Sequence, residues 1–318
     1  MSRRVWIIFA AVSVIWGVPY LFIKIALDGG ASPMLVAWGR VALGAAILLP
    51  IAWRMGYLRG LRARIKPLVA FTIAECALPW WLIPLGEQNV SSSLAAILIA
   101  SVPLMIALLA IRFDHTERVR GVRLFGLFIG LGGVVLLLGI DVAGRVDELL
   151  GAGAILLATA CYAAGALIVK RYFLDVNPIG PVAAALGLST IILAPAGISS
   201  IPGAELTSGA VGSIAVLGAI CSALGLILFF SLVGAVGASR ASVITYINPA
   251  VAVFLGVALL GESIGAGAVA GLLLILAGSW LSTGGRTPPG PAVLVMGARR
   301  RFGRRRPVRV TSAAATRI

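Results

Sequence analysis

Long apolar segments separated by short polar loops follow one another along most of the chain. Ten such segments can be recognised, and they span residues 5–27, 33–53, 67–86, 91–111, 124–140, 149–169, 178–199, 209–234, 239–260 and 265–283. Each has the roughly 17–25 residues that a helix needs to cross a bilayer. They lack the strict alternation of barrel strands and are about twice as long as such strands. The pattern predicts an all-α integral membrane protein with ten transmembrane helices.

A second pattern is an internal repeat. Shifting the sequence by 146 residues pairs Trp16 with Tyr162, Lys24 with Lys170, and Pro103 with Pro249. After a one-residue slip in the 112–116 loop, a shift of 145 residues pairs Glu117 with Glu262, Gly126 with Gly271, and Gly133 with Gly278. We therefore expect two five-helix repeats, at residues 1–140 and 149–283. Because five is an odd number, the second repeat must enter the membrane inverted.

The charges in the loops fit this inversion. The loops at 54–66 and 112–123 are basic, whereas their counterparts at 200–208 and 261–263 carry only Glu205 and Glu262. Basic residues concentrate in the cytoplasmic loops of membrane proteins. The charges and the even number of segments predict a plasma-membrane protein with both termini in the cytoplasm. The basic segment at 284–318 is expected to be a disordered cytoplasmic tail.

Composition supports the membrane class and narrows the function. Hydrophobic residues make up 60% of the chain and charged residues only 12%, about half the charged fraction of a soluble domain. The net charge of +15 comes mainly from loops and the C-terminal segment, so it does not indicate nucleic-acid binding. The sequence has one histidine, three scattered cysteines, no nucleophile–base pair and no phosphate-binding loop. We therefore expect no enzyme activity, no cofactor and no metal site.

Inverted repeats are characteristic of secondary transporters, in which two similar halves exchange conformations around a central site. The fourth segment of each half contains a proline, Pro103 or Pro249, at the matching position. A proline removes a helix hydrogen bond and tends to kink the helix. We interpret the two prolines as kinks with a shared mechanical role. The alternative is that each is a static packing kink.

Both halves contain segments that resemble one known family. The first half reads "WGVPYLFIKIAL", "SPMLVAWGRVALGAAIL", "GEQNVSSSLAAILIASVPLMIALLA" and "GLFIGLGGVVLL", and the second reads "GASRASVITYINPAVAVFLGVALLGE" and "AGLLLILAG". Over about residues 5–283 the chain resembles the EamA-type transporters of the drug/metabolite transporter superfamily. The resemblance implies two five-helix repeats that move small metabolites, commonly outward, in a superfamily whose substrates range from amino acids and sugars to nucleotide sugars and drugs. At "FDHTE" the chain departs from the family's usual "LGE", which weakens a role for Glu117.

Two charged residues fall well inside apolar segments, where a charge is costly and indicates function. At about 1.5 Å per helical residue, Arg40 lies about 10 Å below the outer face and Glu75 about 13 Å from the inner face. Arg40 matches an arginine frequently seen in the family's second helix. It is a candidate donor to a substrate carboxylate or phosphate; alternatively it binds helix-end carbonyls or snorkels outward. Glu75 is a candidate for taking up a proton or binding a substrate ammonium group; alternatively it forms a structural pair with Arg40 or stays hydrated.

Two further charged side chains are expected nearer the outer interface. Lys24, near the outer end of the first segment, is expected to snorkel, as is its counterpart Lys170 at the inner interface. Glu87 lies at the outer end of the third segment and is expected to be solvated.

Aromatic and amide side chains supply the remaining candidate contacts to a substrate. They are Trp16, Tyr20, Trp80, Trp81, Tyr162, Tyr246 and Asn248. Pro79 and Pro84 bracket the tryptophan pair, which predicts an irregular third helix of the kind that lines cavities. Tyr246 and Asn248 precede Pro249 and are candidates for polar contacts at the freed backbone. The alternative for the aromatic residues is a belt at the membrane interface.

Together these features predict a secondary transporter that exports small polar, amino-acid-like metabolites by alternating access. The alternatives are uptake or exchange of sugar-type or phosphorylated solutes, and a lipid-handling membrane protein. Because the sequence has no ATPase motif, the substrate gradient or protons must drive the flux. The expected partners are a small-molecule substrate and the lipid bilayer, and the oligomeric state is left open.

Overall fold

The computed structural model describes residues 3–113, 121–139, 145–236, 241 and 243–282. Within these ranges the chain is helical and contains no β-strand, which confirms the all-α class. Glu117 and the predicted cytoplasmic tail at 284–318 lie outside the described residues.

We number the apolar helices α1 to α10 in chain order. Seven described helices are long and apolar enough to cross a membrane: α1 Arg3–Asp28, α2 Pro33–Arg54, α3 Leu61–Glu87, α4 Ser92–Leu109, α6 Val146–Tyr172, α7 Ile179–Ser199 and α8 Ser208–Val236. The shorter apolar helices are α5 Val122–Leu137, α9 Ile244–Leu260 and α10 Ala266–Ser282. At about 1.5 Å per residue the shorter helices reach about 25 Å, against a hydrocarbon core of about 30 Å. The protein is a multi-pass membrane protein, and the number of ten spans stays a prediction.

Four of the long helices change geometry along their length. Helix α1 consists of Arg3–Gly17 and Pro19–Asp28, and α4 consists of Ser92–Ile99 and Val102–Phe113, which extends past the apolar span that ends at Leu109. Helix α3 consists of the 3-10 helix Leu61–Arg64, Ile65–Thr72, the π-helix Ile73–Ala77 and Leu78–Glu87. Helix α8 consists of Ser208–Val216, the π-helix Leu217–Leu224 and Gly225–Val236. The two π-helices lie at equivalent positions, because a shift of 146 residues carries 73–77 onto 219–223. A π-helical turn holds more residues than an α-helical turn, and such turns are frequent at functional sites.

The two matching prolines lie in different local structures. Pro103 is the second residue of the second piece of α4, directly after a break at Ala100 and Ser101. Pro249 lies inside α9, which continues through it. The first turn of a helix tolerates proline because its N–H groups have no intrahelical partner, whereas an interior proline removes a bond to the carbonyl four residues earlier. A shared mechanical role for the two residues stays a prediction.

Helices α5 and α10 pack closely through glycines. A Cβ atom at Gly133 would lie 2.9 Å from the carbonyl oxygen of Gly271, and the reverse distance is also 2.9 Å. A Cβ atom at Gly278 would overlap the backbone of Gly130. Only residues without a side chain allow helices to approach this closely. The contact joins the last described helix of each repeat.

We expect Gly278→Ala to destabilise the protein because the added methyl group meets backbone atoms that cannot move aside. Overpacking of this kind costs about 1–3 kcal/mol. Gly132→Ala is the matched control, since Gly132 lies in the opposing helix α5 and a Cβ atom added there would meet nothing within 4 Å. Thermal unfolding in detergent compares the two variants. Equal melting curves would show that α5 and α10 can separate without cost.

Hydrogen bonds near the helix ends identify which segments share an end of the helix bundle. At one end, the main-chain nitrogen of Thr207 donates to the carbonyl oxygen of Gly29 at 3.0 Å. At the other end, Arg64 donates to the carbonyl oxygen of Tyr172 at 2.6 Å and to both carboxylate oxygens of Asp175 at 2.5 Å. The hydrogen bonds from Arg64 lower the pKa of the exposed Asp175 to about 2. Since Gly29 precedes α2 and Arg64 follows it, the two contacts lie at opposite ends of that helix.

Candidate functional site

Arg40 is held inside the bundle by side chains from both repeats. Helix α2 begins at Pro33 after Ser32, whose hydroxyl accepts from the Leu35 nitrogen at 3.2 Å, and this places Arg40 two turns into the helix. The guanidinium carbon lies 3.8 Å from the centre of the Trp80 ring, and the side chain is only 8% exposed. A cation over an indole face is stabilised by the electrons of the ring.

The second contact of Arg40 comes from α8. Its Nε donates to the Ser222 hydroxyl at 2.9 Å, and that hydroxyl donates to the carbonyl oxygen of Leu217 at 2.8 Å. The two terminal guanidinium nitrogens make no hydrogen bond to any described residue. A guanidinium binds a carboxylate or phosphate through a pair of parallel N–H groups. The arrangement therefore fixes the arginine and leaves donors free for an anion.

Glu75 lies in the π-helical piece of α3 and packs against the backbone of α6. A Cβ atom at Gly165 would overlap the Glu75 carboxylate, so the carboxylate occupies space that only a glycine leaves open. Within the described part of the chain, Glu75 forms no hydrogen bond and no ion pair. The alternative of a direct ion pair with Arg40 is therefore not what the structure shows. The Tyr162 ring lies within electrostatic range of both side chains.

The other aromatic candidates lie around this region at different distances from Arg40. Trp80 contacts Arg40 directly, and Tyr20 is within its electrostatic range. Trp81 and Tyr162 both pack against two clusters of buried apolar side chains, one that includes Trp80 and one that includes Ile83. The irregular part of α3 lies at Ile73–Ala77, before the two tryptophans and their prolines.

Trp16 and Asn248 belong to contacts of α1 with the second repeat. The indole nitrogen of Trp16 donates to the carbonyl oxygen of Cys221 at 3.1 Å, inside the second π-helix. With its nitrogen turned toward the carbonyls, the Asn248 amide donates to Ser13 at 3.0 Å and to Ile244 at 2.8 Å. The sequence placed Asn248 beside Pro249, and the structure shows it tying α9 to α1. Tyr246 is half-buried in the same helix.

Cys221 and Ser222, which were not predicted from the sequence, provide polar contacts to Trp16 and Arg40. A shift of 146 residues carries Glu75 onto Cys221 and Cys76 onto Ser222. Both π-helices thus place their contact-forming residues at equivalent positions. The internal repeat, applied at Glu75 and Cys76, points to Cys221 and Ser222 from the sequence alone.

The prediction that Glu87 is solvated is wrong. Its side chain is 0% exposed, and neither carboxylate oxygen accepts a hydrogen bond from a described residue. A Cβ atom at Gly86 would lie 2.6 Å from the carbonyl oxygen of Gly151. Helix α6 thus lies close to α3 at the residue before Glu87. Lys24 donates to the main-chain oxygen of Glu87 at 3.2 Å and lies 3.7 Å from Asp28.

Glu262 binds the first turn of α4 and so links the two repeats. Its carboxylate accepts from the Ser92 nitrogen at 2.7 Å, and from the nitrogen and hydroxyl of Ser93 at 3.0 and 2.5 Å. A carboxylate at a helix N-terminus satisfies free N–H groups and is stabilised by the helix dipole. The counterpart of this residue in the first repeat, Glu117, lies outside the described residues.

The described residues hold no group of three or more histidine, cysteine or acidic side chains that could bind a metal ion. Cys76 and Cys221 are buried, Cys161 is half-buried, and all three are free. The chemistry of this region is therefore that of one buried guanidinium, separate carboxylates and aromatic faces. Such a set can bind and orient a charged solute.

A multi-pass helical bundle with buried charges between two sequence repeats is the architecture of a membrane transporter. The model of the EamA-like transporter family matches residues 4–139 and again residues 149–284. The chain belongs to this family.

Several relatives support this assignment along most of the chain. The uncharacterized inner membrane transporter YedA of Escherichia coli K12 is 28% identical over 262 residues, 80% of this chain and 82% of YedA. An uncharacterized transporter of Archaeoglobus fulgidus is 27% identical over 279 residues, 87% of this chain and 97% of that protein. The uncharacterized transporter YoaV of Bacillus subtilis is 23% identical over 278 residues, 86% of this chain and 94% of YoaV. These names point to transport and away from enzyme activity.

A solved crystal structure has the same fold. It matches with a TM-score of 0.63 and 18% identity, covering 89% of this chain and 98% of the other.

Proposed function

We propose that the protein is a secondary transporter that exports small amino-acid-like metabolites across the plasma membrane by alternating access. The observation that carries this proposal is the buried Arg40, held by Trp80 and Ser222 with its terminal nitrogens free of described partners. Trp80 belongs to the first repeat and Ser222 to the second. A substrate anion bound to Arg40 would therefore lie where the repeats meet.

An amino-acid-like substrate fits the charges of this region. Its carboxylate would bind the free nitrogens of Arg40, because a fork of two N–H groups matches two oxygens. Its ammonium group would be attracted to Glu75, which is half-buried, unlike the fully covered Glu87, and has no cation partner among the described residues. Tyr162, within electrostatic range of both, would lie beside the bound solute. Because Arg40 and Glu75 form no ion pair with each other, each is available for one of the two charges of the substrate.

The loop contacts support the inverted arrangement of the repeats. The loop at 54–66 corresponds to the loop at 200–208 in the second repeat. Arg64 lies at one end of α2, bonded to Asp175, whereas Thr207 lies at the other end, bonded to Gly29. These contacts favour opposite ends of the bundle for the equivalent loops, which is what an inverted repeat requires.

We expect cysteines placed in these two loops to be labelled from opposite sides of the membrane. Suitable positions are the exposed Ala63 and Pro202, in a chain whose native cysteines are replaced by alanine. If the N-terminus is cytoplasmic, an impermeant maleimide should label Pro202→Cys in whole cells and Ala63→Cys only after permeabilisation. Labelling of both positions from one side would exclude the inverted repeat.

The proposed function is tested by solute flux in proteoliposomes. The assay offers amino acids, sugars and sugar phosphates, each with and without a pH gradient. We expect flux of zwitterionic amino acids above that of empty liposomes. Flux confined to phosphorylated solutes would support the exchange alternative, since a guanidinium also binds phosphate. The absence of flux for every solute would contradict a transport function for this set.

A further inference from the structure

Glu87 is the buried charge that the proposed substrate site does not use. Both of its carboxylate oxygens are fully covered and lack a hydrogen-bond donor among the described residues. Lys24 is the adjacent cation, yet its Nζ donates to the main-chain oxygen of Glu87 and lies near Asp28 instead. The backbone of α6 at Gly151 packs closely against the preceding residue, Gly86.

An ionised carboxylate in this position would have lost water without gaining a donor. Burying an unpaired charge is so unfavourable that the group takes up a proton instead. The arrangement described is therefore that of a neutral Glu87. An ionised Glu87 would require Lys24 to leave Asp28 and pair with the carboxylate, or water to enter between α3 and α6.

The charged groups around Glu87 come from several helices. Within its electrostatic range are Lys24 and Asp28 of α1, Arg40 of α2 and Glu262 of the segment before α10. Tyr20 of α1 is within range of both Glu87 and Arg40. Helix α6 packs against Gly86, the residue before Glu87, through the uncharged Gly151 and Ile155. Glu87 is thus connected electrostatically both to the proposed anion site and to the contact between the repeats at Glu262.

We propose that Glu87 is the proton-binding site that couples transport to the proton gradient. The inference rests on the proposed function. The O–H bond of Glu87 is intact in the arrangement described. When the helices open, the proton leaves to water, and the ammonium group of Lys24 becomes the counter-ion of the carboxylate. For an exporter driven by an inward proton gradient, the proton and the substrate move in opposite directions.

Infrared spectroscopy tests the protonation of Glu87 without any substrate. The reconstituted protein is titrated between about pH 5 and pH 9, across the range above the ordinary pKa of a glutamate. We expect a carbonyl-stretch component of a neutral carboxylic acid at neutral pH, lost in Glu87→Gln and retained in Glu205→Gln, an exposed acid of the same end. If Glu87→Gln does not fold, Glu87→Asp should shift the component. The proposal would be overturned if the folded Glu87→Gln variant kept the carbonyl-stretch component of the wild type. It would also be overturned if Glu87→Asp left the frequency of that component unchanged.

The coupling itself is measured as the ratio of gradient-driven flux to counterflow of a radiolabelled neutral amino-acid mixture. A pH-sensitive dye inside the liposomes records proton movement in parallel. We expect Glu87→Gln to lower this ratio at least about tenfold and to abolish the dye signal, with Glu205→Gln unchanged. An unchanged ratio in Glu87→Gln, even with the infrared component lost, would make Glu87 a structural acid and overturn the coupling. If wild-type flux does not depend on the pH gradient, proton coupling is excluded but the proposed transport function stands. If the wild-type protein shows no flux, the proposed function itself is contradicted.

Discussion

Arg40→Ala is expected to lose almost all transport of zwitterionic and anionic substrates. Truncating one partner of a buried, hydrogen-bonded charge pair costs about 2–5 kcal/mol, and about 3 kcal/mol corresponds to roughly a hundredfold loss of flux at low substrate concentration. Arg40→Lys keeps the charge but loses the planar fork and its stacking on Trp80, so we expect an intermediate loss. Ser222→Ala removes only the acceptor of Nε and should have the smallest effect of the three.

The matched control for Arg40→Ala is Arg54→Ala. Arg54 is the exposed last residue of the same helix, so its removal changes the net charge equally without touching the site. Flux, expression and thermal unfolding are measured for both variants. A folded Arg40→Ala protein that transports at the wild-type rate would show that the arginine serves the scaffold.

Helix boundaries were predictable where local chemistry marks them. The second segment was expected at 33–53 and the structure gives Pro33–Arg54, because a serine cap and a proline at the first position define its start. The third segment was expected from residue 67, but the helix begins at Leu61. The first turn of this helix contains the charged residues Arg62 and Arg64, and an apolar pattern cannot distinguish a polar first turn from a polar loop.

The features that the sequence could not provide depend on contacts between helices. A π-helix arises where packing favours an extra residue in a turn, and the sequences of Ile73–Ala77 and Leu217–Leu224 contain no proline to mark it. The burial of Glu87 is set by the tertiary structure around the end of α3, where Gly86 and Gly151 approach closely. Ser222 became a partner of Arg40 for the same reason. The internal repeat could be predicted because matching residues recur at a fixed spacing along the sequence.

Glu75→Gln is expected to separate the recognition of the two substrate charges. The amide keeps the shape of the side chain but removes the negative charge that would attract an ammonium group. We expect flux of zwitterionic amino acids to fall about tenfold, whereas flux of their analogues without the amino group changes little. The comparison requires both solutes in the same liposomes. Equal losses for the two solutes would mean that Glu75 does not recognise the ammonium group.

A second pair of variants moves the carboxylate without changing its charge. The Cβ atom of Gly165→Ala would overlap the Glu75 carboxylate and should displace it, so this variant should reproduce the selective loss seen in Glu75→Gln. Gly153→Ala is the control, since Gly153 lies in the same helix with nothing within 4 Å of its Cβ position. A structural pair would behave differently, because neutralising Arg40 and Glu75 together would restore both folding and transport. Since the two side chains form no ion pair in the described structure, we expect the double variant to fold and to remain inactive. An actively transporting double variant would assign both residues to the scaffold.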